Sequence, residues 1–138
     1  PDRRRPRTRM SASVCDIHLC RAHDITAGVR PTGARLPVAR LWPRGISKTD
    51  LPLDAWLKDV APSPALRIWY GHDPAKWAEF GTRYRAELRD NPGAVESALA
   101  WCRRGPARLI YAAEDRLHTH ALVLRDHLAE NLAKEYAQ

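Results

Sequence analysis

No apolar run in this chain approaches the ~20 residues that a membrane-spanning helix needs. The arginine-rich leading segment also lacks the apolar stretch of a secretory signal, so a cytoplasmic protein is expected. Cysteine is scarce: Cys15, Cys20 and Cys102 make an odd count with no Cys-x-x-Cys pair. If Cys15 and Cys20 share a strand, their odd spacing points them to opposite faces, so free thiols in a reducing compartment are the natural reading. Also missing are a nucleophile elbow, a P-loop, a dinucleotide fingerprint and a His-Glu-x-x-His zinc motif. No segment repeats. The sequence therefore names no reaction by a local motif.

What is present fits one folded unit. The 138 residues are about one domain by length, enough to bury a core without disulfides or metals. The net charge is +7, but residues 1–30 carry seven arginines against three acids and hold more than half of that excess. Residues 1–13, opening PDRRRPRTR, are expected to be a disordered basic N-terminal extension, with Met10 the natural start and residues 14–138 a single α/β domain. The remainder is only mildly basic, which supports nucleic-acid binding weakly.

Along the chain, residues 14–21 (VCDIHLCR) alternate as a half-buried strand, with Cys15, Ile17 and Leu19 on one face. The loop that follows is too short for a crossover helix of usual size, so the second strand, residues 35–41, is expected to run antiparallel to the first. Pro37 within it points to a sheet edge or bulge. Leu53, Trp56, Leu57 and Val60 recur at helical spacing, with Asp50 as a possible cap. A short helix then carries Leu66, Trp69 and Tyr70 and stops at Gly71. Asp73-Pro74 opens a longer helix with a stripe of Trp77, Phe80, Tyr84 and Leu88. Asn91-Pro92 opens another, burying Val95, Ala98, Leu99 and Cys102, which ends at Gly105. Residues 107–113 (ARLIYAA) read as a strand buried on both faces. Ala121, Leu124, Leu128 and Leu132 define a C-terminal helix. The predicted fold is α/β: a small mixed sheet of three to four strands covered by helices.

Two polar stretches follow strands in this reading. The first, residues 41–48 (LWPRGISK), is a rigid Trp-Pro-Gly turn ringed by Arg40, Arg44 and Lys48. The second, residues 114–120, holds His118 and His120. If their strands are parallel neighbours, both loops meet at the carboxyl edge of the sheet, where open α/β folds bind ligands. Arg40 and Arg44 are candidate oxyanion ligands, or else they pair with Asp59, Asp73 or Glu114. Trp42 either stacks on a ligand or plugs the edge of the core. Tyr111, near the end of the last strand, is a further ligand candidate, read as core in its body with its hydroxyl at the pocket edge. His72, His118 and His120 are the acid–base candidates. His118 and His120 at i, i+2 could ligate a metal with His72 or Glu114 as third ligand, but no local third ligand is spelled out, so neither a metal nor a cofactor is expected.

The runs ARLWPRGISK, LDAWLKDVAPSPALRIWYGHDPAKWAEFGTRYRAEL and LIYAAEDRLHTHALVLRDHL resemble the YeaO-like branch of the domain of unknown function 488 family. Arg21-Ala22-His23-Asp24 is similar to that family's Arg-Ala-Tyr-Asp. The resemblance implies a small α/β protein of unassigned activity. It also marks departures. Ala39 stands where the family carries an Asp ahead of Leu-Trp-Pro-Arg-Gly, and Thr119 stands where it reads Asn between two histidines. The functional expectation is a protein that binds a small anionic ligand or substrate at the carboxyl edge of the sheet. The alternatives are a nucleic-acid-associated protein and a non-catalytic interaction module with a decayed pocket.

Overall fold

Three short strands, flanked mainly by helices, carry the fold. The computed structural model describes residues 16–137; Cys15, Met10 and the leading arginines lie outside them. β1 is Ile17–Arg21, β2 is Ala34–Pro37 and β3 is Ala107–Tyr111. β3 lies in the centre and both neighbours run parallel to it. The α/β class and the strand count stand as expected, but among the described residues the sheet is parallel rather than mixed.

The expected antiparallel pairing of the first two strands is corrected by this topology. β1 and β2 do not pair; β3 inserts between them. Their connection holds only the five-residue helix α1, Ala22–Thr26. That suffices, because residues 22–33 extended can reach roughly 40 Å. The short-loop argument fails here because it applies to strands that are neighbours. Pro37 sits on an edge strand, where its missing donor costs no ladder bond.

The expected helix over residues 53–60 is absent. Two single 3₁₀ turns, Lys48–Asp50 and Lys58–Val60, stand in that region. Between them the backbone lies along the open edge of β2: Asp54 N donates to Arg35 O at 2.8 Å and Leu57 N to Pro37 O at 2.9 Å. Arg35 N is taken by the Asp54 carboxylate at 2.7 Å. Donors that point at a neighbouring edge cannot close helical turns, and Pro52 already removes one. Covering an edge strand in this way also blocks its pairing with another chain.

The remaining helices fall where the spacing put them. α2 is Pro64–Tyr70, with the Ser63 hydroxyl accepting from Leu66 N and Gly71 left-handed at its end. A 3₁₀ turn, Pro74–Lys76, capped by Asp73, leads into α3, Trp77–Arg89. α4 is Pro92–Arg104 and α5 is His120–Ala137. Phe80, Tyr84, Leu88, Val95, Leu99 and Leu128 meet Leu109 and Tyr111 in the main core on one face of the sheet. Ile110 points to the other face, into a small cluster with Ala22, Ile25 and Leu51. Successive residues of β3 thus serve two cores, the mark of a strand covered on both sides.

One glycine is fixed by its surroundings. Gly33 has φ +88°, and a Cβ there would lie 2.6 Å from the Pro106 carbonyl oxygen. That close approach lets Ala34 N donate to Pro106 O at 2.9 Å and start the β2–β3 pairing. No described helix is long and apolar enough to cross a membrane.

Candidate functional site

Because β2 and β3 are parallel neighbours, with Pro37 opposite Ile110, their following loops leave the sheet on the same side. Val38 N extends the ladder by one bond to Ile110 O, at 3.1 Å. The loop after β2 then turns at residues 43–46. Ile46 N donates to Pro43 O, Gly45 takes φ +82°, and the indole N–H of Trp42 closes the turn on Ile46 O at 2.7 Å. The turn is rigid because its aromatic residue is bonded into it.

A cleft of about 530 Å³ opens between this loop, the loop after β3 and α2. Arg40, Trp42, Arg44, His72, His118 and His120 all line it. Tyr111 does not. It is 4% exposed and shares the Leu109 face of β3, so the pleat turns it into the main core.

Electrostatics define the cleft. The described residues lining it include three arginines, Arg40, Arg44 and Arg67, and three histidines, but no acid. Among the described residues none of these arginines makes an ion pair. The expected alternatives for Arg40 and Arg44, pairing with Asp59, Asp73 or Glu114, are therefore not formed. Arg40 donates through Nη2 to Ala61 O at 3.3 Å, while its Nε is buried without a partner. A buried, unpaired donor on a charged group is costly, of the order of 1–3 kcal/mol or more.

The two loop histidines differ in state. His120 begins α5 and bonds through Nε2 to Val38 O at 3.0 Å, tying the two loops together. A carbonyl only accepts, so Nε2 carries the proton and Nδ1 keeps the lone pair. Burial pushes this imidazole down to about 4, with nearby Arg67 adding in the same direction. His120 is thus neutral at pH 7. His118 is oriented from behind: its Nδ1 lies 2.7 Å from the Asp115 carboxylate. That bond, helped by Leu117 N–H, holds Asp115 below the usual carboxylate range. The His118 ring also meets Trp77 edge-on at 5.4 Å, and the Tyr70 hydroxyl donates to His118 O at 3.1 Å. One nitrogen of each ring is engaged this way and the other stays free. Among the described residues no group of three His, Cys, Asp or Glu is placed to hold a metal ion.

Trp42 is no free plate. Its ring meets Trp56 at 5.3 Å in an edge contact and packs beside the smaller core. Lys48 lies over both rings, 5.9 Å from each, and so serves the aromatic pair rather than the cleft. His72 is exposed at the mouth with φ +56°, in the left-handed region. Ala39, at the departure from the family pattern, lines the cleft, and its carbonyl accepts from the Trp56 indole at 2.8 Å.

Arg67 and Asp115 escaped the sequence reading. Asp115-x-x-His118 is a spacing that signals a carboxylate–imidazole pair. Arg67 offered no signal, since only tertiary packing turns that side of α2 toward the two loops.

These features define a small α/β protein with a cationic cleft at the carboxyl edge of a three-stranded parallel sheet. The chain belongs to the DUF488 family: a family model described as the inactive DUF488-N3 subclade matches residues 16–138. It is 41% identical over 96 residues to the uncharacterized protein YeaO of Escherichia coli (strain K12), covering 70% of this chain and 84% of that one. An uncharacterized protein of Mycobacterium bovis is 48% identical over 64 residues, covering 46% of this chain and 54% of its own length. An uncharacterized protein of Mycobacterium tuberculosis (strain H37Rv) matches with the same identity and coverage. No solved structure matches.

Proposed function

We propose that this protein binds a small anion in the cleft at the carboxyl edge of its sheet and does not turn it over. One observation carries the reading: three arginines without carboxylate partners among the described residues line a cleft that holds no acid. Guanidinium groups grip carboxylate and phosphate oxygens through paired bonds, and Arg40 has a donor to spare. Two further points support binding without chemistry. The matching family model is described as inactive, and Ala39 occupies the position where the resemblance places an acid. The thiols Cys20 and Cys102 are free, in keeping with a cytoplasmic setting.

The test is thermal unfolding with inorganic phosphate, sulfate and acetate as probes. A ligand that binds only the folded state raises the melting temperature. At least one probe is expected to give a saturable rise that Arg40→Gln abolishes. No rise with any of the three would overturn the proposal. Ala39→Asp, which places a competing carboxylate among the arginines, is expected to weaken the same binding severalfold.

A further inference from the structure

We infer that the anion this cleft is built for is carried on an apolar body, as an aryl or acyl carboxylate or phosphate monoester. The inference rests on the proposed anion binding and narrows it to a ligand class. Large hydrophobic side chains are well exposed at few described positions, and two of them line this cleft. Ile68 on α2 is 81% exposed and Leu41 on the loop after β2 is 64% exposed. A third, Leu117 at 74%, directly precedes His118. Pro43, Pro64 and Phe80 continue the apolar lining. Exposed aliphatic side chains gathered around a charged opening mark a ligand groove more than scattered ones do.

The polar groups sort to fit such a ligand. Arg40, Arg44 and Arg67 offer an oxyanion their guanidinium bonds, while Ile68 and Leu41 offer its body a surface out of water. A free inorganic anion leaves those two side chains in solvent. A nucleobase finds no free stacking plate, because Trp42 is already bonded to Ile46 O and packed against Trp56. Neutral His120 adds no charge near pH 7, which leaves the arginines to hold the oxyanion.

Calorimetric titration with matched pairs tests this: inorganic phosphate against phenyl phosphate, and acetate against benzoate. The apolar member of at least one pair is expected to bind tenfold or more tightly than the small one, since removing a ring from water readily supplies that factor. The pair that gains identifies the head group. Ile68→Ser, at a position exposed enough to spare the fold, is expected to bring that ratio towards one. Val29→Ser, at an exposed hydrophobic residue outside the cleft lining, is expected to leave it alone. Equal affinities within each pair would overturn the inference while leaving anion binding intact. Failure of all four probes to bind would overturn both. A preference that survives Ile68→Ser would show that the apolar body lies elsewhere and would overturn the assignment to this cleft.

Discussion

His120 shows what burial does to a titratable group. In the unfolded chain its pKa returns to about 6.5, while in the folded protein burial holds it at about 4. The unfolded state therefore binds the extra proton first as pH falls. The stability His120 permits is complete above about 6.5 and is lost progressively down to about 4, by roughly 3 kcal/mol for this group. His127 is lowered in the same direction by burial and by Arg85. The carboxylates held low by their partners, Asp24, Asp115, Glu96 and Glu135, begin to lose their contribution as pH falls into their ordinary range, from about 5 downward. Between pH ~6.5 and ~5.5 the slope belongs to the histidines. His120→Gln keeps a donor for Val38 O, and denaturant unfolding across that window should show a shallower slope for the variant. At the same scale, Arg44→Ala should weaken anion binding more than Lys48→Ala, because Lys48 is spent on the Trp42 and Trp56 rings. Calorimetry with the tighter-binding probe checks the order.

Among the elements, α3 anchors the helical layer to the sheet through its aromatic stripe. Phe80 stacks on Tyr70 at 4.4 Å and on Trp77 at 5.7 Å and is 1% exposed. Phe80→Ala should cost about 3–5 kcal/mol in chemical denaturation. Trp77, partly buried at the cleft end of the stripe, should cost less. At the opposite end of the sheet, Gly33→Ala meets both a left-handed φ and a backbone oxygen, so its loss should exceed ~1 kcal/mol. The helices were legible because their start signals and stripes are local: Asp73-Pro74, Asn91-Pro92 and the buried residues behind them. The segment around Trp56 was not. Its apolar spacing is helical, but its donors go to Arg35 and Pro37 on an edge that lies nearly 20 residues earlier. Strand direction was lost for the same reason, since nothing in residues 22–33 says that β3 will insert between β1 and β2.

At the scale of the whole molecule, parallel β2 and β3 bring together loops more than 70 residues apart in sequence. His120 to Val38 O is the bond that closes them on each other. The meeting of Arg40, Arg44, His118 and His120 was legible, because each follows a strand and neither loop needs them for its turn. Arg67 and the apolar mouth at Ile68 were not, since they come from a helix whose placement depends on the Ser63–Glu87 bonds to α3 and on Tyr70 reaching His118 O. Tyr111 was legible as a core residue, but its place at the pocket edge is not seen, since it does not line the cleft. Releasing α2 from the loop after β3 should loosen the cleft without unfolding the protein. Tyr70→Phe removes the bond to His118 O and is expected to lower probe affinity severalfold while leaving the unfolding midpoint within about 1 kcal/mol, by paired calorimetry and denaturation.

The most direct measurement follows the arginine Nε–H resonances of isotopically labelled protein during titration with phenyl phosphate. The Arg40 Nε–H, buried and without a partner in the free protein, should move saturably as the anion meets the guanidinium it belongs to. Arg103, already bonded to Glu96 and Glu135, should stay where it is. An Arg40 signal that does not move, or one that only drifts in step with every other arginine, would contradict anion binding in this cleft.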